Sequence, residues 1–316
     1  MNNLKNTLDG LHFGPAQTTR NLTIVPLLRP GALPADYLTL DTALAKGLVE
    51  VTEISEGGSV PELFFRNRSD YKVLLVDGEE LVGARQNRVL NLSVLVGARS
   101  ELKIPVSCVE QGRWSYRSRA FRSEGRALHA RARAQKMAAV SESLRSDSRA
   151  DSDQGALWQE IGRKSAAMEV HSSTAAMADV FDARQADLAD YRVAAHPMAD
   201  QLGAAFLVGH RLVGLELFDA ASTLEAMLAK LADSYAMDAL EEYGHHLPSG
   251  EQLTPTQSAE LAVDTVQAFI ARLQMAKHEQ YPGIGLGTTI RMDGPSLRAG
   301  ALVDGERCVH LSAYVS

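Results

Sequence analysis

The spacing of apolar positions divides the chain into two kinds of segment. Up to about residue 115 the apolar residues come in short or alternating runs, the period of strands. Asn21–Leu28 (NLTIVPLL), Leu48–Ile54, Leu63–Asn67, Tyr71–Val76 and Lys103–Val109 read this way. In Val89–Val96, residues Leu90, Leu92, Val94 and Val96 fall on one face and Asn91 and Ser93 on the other. Asp77-Gly78 sits between two apolar runs, and both residue types tolerate positive φ, so the pair predicts a hairpin turn with a return strand over Glu80–Gln86. Tyr37–Lys46 is the helix of this half, with Tyr37, Leu40 and Leu44 on one face and Gly47 to end it. Gly57-Gly58 breaks the chain after the strand that follows.

Beyond Ala156 the helical period takes over. Leu157, Ile161 and Met168 mark one helix, and Met177, Val180, Phe181, Leu188 and Tyr191 another. Ser222 and Glu225 have capping-box spacing ahead of the stripe Leu224, Leu228, Leu231 and Tyr235. Thr254-Pro255-Thr256-Gln257 opens a further helix, with Val263, Val266, Phe269, Ile270 and Leu273 inward. Strands interrupt: Ala204–Phe218 reads as a hairpin turning at Gly209-His210, and Thr288–Met292 and Ala301–Val315 as the last strands. LVDGEELVG, LVGHRLVG and LVDGERCVH echo one another, either as an internal repeat or because hairpins look alike. The expectation is an α+β fold, a largely antiparallel β N-terminal half with helices packed on further sheet in the C-terminal half. It forms one unit over 1–316, with a β-rich part at 20–115, a basic mobile segment at 116–156 and a mixed helical and strand part at 157–316.

Composition narrows the class. The chain has 316 residues, 45% hydrophobic and 22% charged, which is ordinary for a globular protein with a sizeable core. Its net charge of −7 argues against general nucleic-acid or anionic-membrane binding. The two cysteines, Cys108 and Cys308, form no C-x-x-C pair, so no structural zinc site is expected. The first residues, MNNLKNTLDGLHFGPAQ, lack the apolar region of a signal peptide, and no run has the roughly 20 apolar residues of a membrane span. A cytoplasmic location follows as the default expectation.

Polar residues crowd the stretch DGEELVGARQNRVLNLSVLVG: Glu79, Glu80, Arg85, Gln86, Asn87 and Arg88. Strand alternation puts Glu80 and Gln86 on one face with small residues between them, and Gly83 allows a ligand or another backbone close approach. Glu110 continues the inward face of Ile104, Val106 and Cys108, where a carboxylate needs a partner, and Arg113 is in reach. Trp114 could stack on a base or cover the core edge. Glu216 and Asp219 form a third carboxylate group at a strand end, where Asp219 or Ser222 could instead cap the following helix. Weaker signals are Cys108, read as core; His245-His246, adjacent and without a third ligand; and Gly283–Gly287 (GIGLG), a phosphate cradle lacking the Lys-Ser/Thr of a P-loop. The arginines and lysine from Arg113 to Lys136 fit an exposed solvated helix or a polyanion site.

The runs VDGEELVGARQNRVLNLSVLV and IPVSCVEQGRW, with GLELFD at Gly214–Asp219 and SYAMDAL at Ser234–Leu240, resemble the ADP-ribosylglycohydrolase- and rhodanese-phosphatase-associated protein family over nearly the whole chain. The resemblance implies a role near ADP-ribose, NAD-derived or other nucleotide chemistry. On this reading the chain binds or processes an ADP-ribose-like or other nucleotide-derived ligand, with hydrolysis by paired carboxylates as the candidate reaction. Arg85, Arg88 and Arg113 hold phosphates, Glu80 or Glu110 serves as acid or base, Gln86 and Asn87 orient the substrate, and Glu79, Trp114 and Glu216 complete the site. The alternative is a non-catalytic module that docks a protein partner and whose Glu–Arg pairs are structural. No cofactor follows from the sequence.

Overall fold

A computed structural model describes residues 2–55, 61–113, 115, 118–243 and 254–316. The chain runs α1 (Asn2–Asp9), β1 (His12–Phe13), β2 (Gln17–Thr19), β3 (Leu22–Leu28), β4 (Tyr37–Thr39), α2 (Leu40–Ala45), β5 (Val49–Glu53), β6 (Glu62–Asn67), β7 (Lys72–Leu75), β8 (Glu80–Gly83), β9 (Arg88–Leu90), β10 (Val94–Val96), β11 (Glu101–Cys108) and β12 (Phe121–Arg122). It continues through α3 (Ala130–Asp147), α4 (Gln154–Ala167), α5 (Met177–Ala183), α6 (Gln185–Arg192), β13 (Gln201–Val208), β14 (Arg211–Phe218), α7 (Ala221–Tyr243), α8 (Pro255–Met275), β15 (Lys277–Pro282), β16 (Thr288–Gly294), β17 (Leu297–Asp304) and β18 (Arg307–Tyr314). The fold is mixed α+β.

A 9-stranded sheet, ordered β1-β3-β13-β14-β18-β17-β16-β15 with β2 also on β3, forms the platform. Both of its faces are buried, because β13 sends Ala204, Phe206 and Val208 to one core and Leu202, Ala205 and Leu207 to the other. On the first side lie α3 to α7, whose Leu224, Leu228, Leu231 and Tyr235 form the inward stripe of α7. On the second lie α1 and α8, with Val266, Phe269 and Leu273 inward. Thr254 and Gln257 close a reciprocal capping box at the start of α8, the helix start expected at Thr254-Pro255. The first half adds a 6-stranded sheet (β12-β8-β9-β11-β6-β5) and a 3-stranded one (β10-β7-β4) around a core of their own. Their pairings are antiparallel except β4 with β7.

Several boundaries differ from the sequence pattern. Tyr37–Thr39 is strand β4, and the helix begins after Thr39, whose hydroxyl accepts the Thr42 N–H. Asp77-Gly78 is a sharp turn with Gly78 at φ +83, but it joins two sheets, since β7 pairs with β10 and β4 while β8 pairs with β9 and β12. The strand expected over Val89–Val96 is divided in the same way into β9 and β10. The alternation survives the division, for Leu90, Leu92, Val94 and Val96 all enter one core. The run Met177–Tyr191 forms two helices, and Ser222 lies inside the first turn of α7. Of the three echoing fragments, those at β13–β14 and β17–β18 are hairpins and LVDGEELVG is not. The segment of basic residues contains α3, an 18-residue helix packed on the large sheet and α7. Its Arg133 and Lys136 are buried, which corrects the reading of a solvated helix.

Candidate functional site

The turn at Asp77-Gly78 places the polar stretch inside the protein. A Cβ on Gly78 would lie 2.7 Å from Arg133 Nε, so the turn fits over a buried guanidinium only because it has no side chain. Glu79 then faces α7, where Lys230 Nζ donates to its Oε1 at 2.6 Å and the Val76 N–H to its Oε2 at 2.7 Å. Lys230 also pairs with Asp41 at 2.7 Å. Glu80 faces the other way and accepts from Arg126 Nε at 2.8 Å and from Asn87 Nδ2 at 3.4 Å. Burial pushes both carboxyls up, against Lys230 and Arg126, which hold them down.

β8 ends at Gly83, where the missing Cβ lets the Ala120–Phe121 backbone approach closely, and Ala84–Gln86 turns where the strand is expected to continue. Asn87 is the hub of that turn. Its Oδ1 accepts from Arg113 Nη2 at 3.1 Å, and its N–H donates to Glu110 Oε2 at 3.3 Å. Glu110 is buried and pairs with Arg113 at 2.7 Å, and Thr174 adds a hydroxyl at 3.1 Å. Against burial, Arg113 holds the Glu110 carboxyl below its ordinary range. Arg88 is fully buried; its Nη1 donates to Gln86 Oε1 at 2.9 Å and to Cys108 Sγ, and its Nη2 lies 3.7 Å from Glu53. The structure thus brings Glu80, Asn87, Glu110 and Arg113 into one network, with Gln86 and Arg88 beside Cys108. Glu79 belongs to a separate cluster, and Arg85 is half-buried. Trp114 and His245-His246 lie outside the described residues.

Glu216 is the centre of a third network. It is completely buried on β14 and accepts from Arg133 Nη1 at 2.7 Å, His310 Nε2 at 3.0 Å, Tyr235 at 3.0 Å and Tyr314 at 3.2 Å. Against burial, Arg133 and His310 hold its carboxyl below the ordinary value. His310 Nδ1 meets Ser93 Oγ at 2.7 Å, and Ser93 Oγ accepts the Asp77 N–H at 2.9 Å. Asp77 also takes Lys136, whose ammonium burial pushes down against that carboxylate. Burial lowers Arg291 to about 10. The cavity lined by Asp77, Ser93, Arg291 and Ser312 has about 10 Å³, room for one water-sized sphere. Asp219 is occupied by Tyr37 at 2.5 Å and Arg307 at 2.6 Å. In the GIGLG segment the Gly283 N–H donates to Gly287 O at 3.0 Å and the Leu286 N–H to Leu95 O at 2.7 Å, so two of the amides expected to cradle a phosphate are used within the fold.

Open space lies elsewhere. A groove of about 640 Å³ runs beside the start of α3, between the end of α7, the start of β14 and the end of β18. Ala134, Ala138, Leu212 and Val213 give it apolar walls; Arg131, Arg211 and Arg298 and the carboxylates of Asp238, Glu241 and Glu242 line it as well. Asp238 Oδ2 accepts the Arg131 N–H at 2.8 Å, and its Oδ1 takes Lys164. Glu241 takes Arg163 and Lys164, which against burial hold it down at about 2. Arg131 is 55% exposed, and its side-chain ion pair, with Glu160, is at 3.7 Å. No single pattern in the sequence gathers these groove residues, because four distant segments supply them. A second depression, about 460 Å³, is lined by Asp41, Glu50 and Arg122 and is the more acidic. Among the described residues no group of three or more His, Cys, Asp or Glu side chains could hold a metal ion, and no helix is long and apolar enough to cross a membrane.

A family model described as the ARG and Rhodanese-Phosphatase-superfamily-associated Protein domain, ARPP-1, matches residues 10–314. The chain belongs to this family. The ARPP-1 match takes in all three buried networks and the groove down to Tyr314. No curated protein and no solved structure matches the chain.

Proposed function

We propose that the chain binds a phosphate-bearing, nucleotide-derived ligand of the ADP-ribose type in the groove beside α3. Arg131 carries the reading: it is an exposed guanidinium at the edge of a large cavity, and its ion-pair partner is beyond hydrogen-bonding distance. Guanidinium groups bind phosphate through two parallel N–H bonds, so such a group in a groove favours a phosphorylated ligand. The volume falls within the range of about 300–1,000 Å³ of small-molecule pockets. Asp238 and Glu241 are neutralised from behind by Lys164 and Arg163, which lowers their repulsion of an anion. The family's association with ADP-ribosylglycohydrolase supports the ligand class.

In this reading Glu80 and Glu110 hold strands together and do not act as acid and base. Each is buried against its own guanidinium, and a substrate would have to break those pairs to reach them. The test is a thermal-shift titration with ADP-ribose. At about 100 times its dissociation constant a ligand stabilises by roughly 2.7 kcal/mol. Arg131→Ala should lose the shift with its own melting point kept, and Glu80→Gln should melt earlier yet keep the shift. A shift that survives in Arg131→Ala and vanishes in Glu80→Gln would place the ligand at the polar stretch instead.

A further inference from the structure

The rim of the groove carries an ion pair that a bound ligand can divide. Arg211 Nη2 donates to Glu242 Oε1 at 2.6 Å, and the two side chains keep 70% and 39% exposure. An exposed pair in water is weakly held and easily exchanged. The other two carboxylates of the groove are committed, Asp238 to Lys164 and the Arg131 N–H, Glu241 to Lys164 and Arg163. Among the described residues Glu242 has Arg211 as its ion-pair partner at one oxygen, on a side chain that is 39% exposed, and a carboxylate has further lone pairs to offer.

We propose that Glu242 reads the vicinal diol of a ribosyl group, while Arg211, released from it, joins Arg131 on the phosphates. The inference rests on the nucleotide reading of the groove. A bare anion competes with Glu242 for Arg211 and is repelled by the carboxylate it displaces. A ligand that carries both phosphates and neighbouring hydroxyls satisfies both halves of the divided pair, because a carboxylate accepts from two adjacent hydroxyls at once. The groove would therefore select ribosylated diphosphates over inorganic ones. Its apolar wall of Ala134, Ala138, Leu212 and Val213 is free for the base.

Calorimetric titration of the full chain with two probes, ADP-ribose and inorganic pyrophosphate, separates the possibilities. Glu242→Ala should weaken ADP-ribose by about tenfold, the loss of hydrogen bonds to a charged acceptor. The same variant should leave pyrophosphate unchanged or tighter, since Arg211 is freed. Arg131→Ala should weaken both probes. If Glu242→Ala changes the two probes alike, or spares ADP-ribose, the diol role is overturned while the groove reading stands. If the wild-type chain binds pyrophosphate but not ADP-ribose, the selectivity is refuted and the anion site is kept. If neither probe binds, the groove reading fails, and the diol role with it.

Discussion

Replacing Glu216 by glutamine removes one negative charge from the buried junction of the large sheet with α3. The carboxylate accepts from Arg133, His310, Tyr235 and Tyr314, all of them buried. Glutamine keeps one acceptor oxygen and turns an NH₂ toward the remaining donors. His310 can adapt, because the opposite tautomer accepts at Nε2 and donates from Nδ1 to Ser93 Oγ. Arg133 cannot, and it is left as a buried cation without its counter-charge. Breaking a buried pair in this way costs about 3–5 kcal/mol. Unfolding entropy for this length is about 0.7 kcal/mol per degree, so the melting point should fall by about 5–8 °C. The carboxyl is held below its ordinary value, against burial, by Arg133 and His310. Its contribution is therefore complete above the unfolded pKa of about 4.3 and is lost as pH falls through the lower folded value. The gap between wild type and Glu216→Gln should be widest near neutral pH and should close on acidification. Circular-dichroism melts of both proteins from pH 3 to pH 7 measure this. A Glu216→Gln protein melting within about 1 °C of wild type at neutral pH would refute the account of a charge-paired interior.

Other outcomes follow from the same structure. Gly78→Ala places a methyl group against Arg133 Nε in a backbone at φ +83, and should cost about 1–3 kcal/mol in urea denaturation. Glu241, held near 2 by Arg163 and Lys164 against burial, stabilises the fold above its unfolded pKa, and that contribution disappears as pH falls toward 2. Glu241→Gln should accordingly flatten the acid limb of the stability–pH curve. Thr254→Ala removes the capping box of α8 and should cost about 0.5–2 kcal/mol, read as a lowered denaturation midpoint.

Local signals in the sequence carried well, and long-range ones did not. The alternation of Leu90, Leu92, Val94 and Val96 identified one core face even though the chain changes sheets between β9 and β10. The spacing of Glu110 and Arg113 on an inward strand end pointed to a pair that the structure closes at 2.7 Å. Thr254 and Gln257 marked a helix start by chemistry confined to four residues. Arg133 and Lys136 were misread as solvated because their partners, Glu216 and Asp77, lie far away in sequence, and a basic helix with buried counter-charges looks like one facing water. Asn91 and Ser93 fall on the polar face of the sequence pattern, yet Asn91 bonds Ser107 and Ala150 inside the protein and Ser93 bonds His310. The apparent hairpin at Asp77-Gly78 had the right turn residues, but pairing partners are chosen by tertiary contacts that turn chemistry does not encode. The groove was invisible for a similar reason: Arg131, Arg211, Glu242 and Arg298 become neighbours only when α3, α7 and the large sheet pack.

The most direct measurement is a crystal structure of the chain grown with ADP-ribose. The account predicts ligand density along α3, with phosphate oxygens within hydrogen-bond reach of Arg131 and the Glu80–Arg126 and Glu110–Arg113 pairs intact. Density among Glu80, Asn87 and Glu110 with those pairs broken, or an empty groove at saturating ligand, would contradict it.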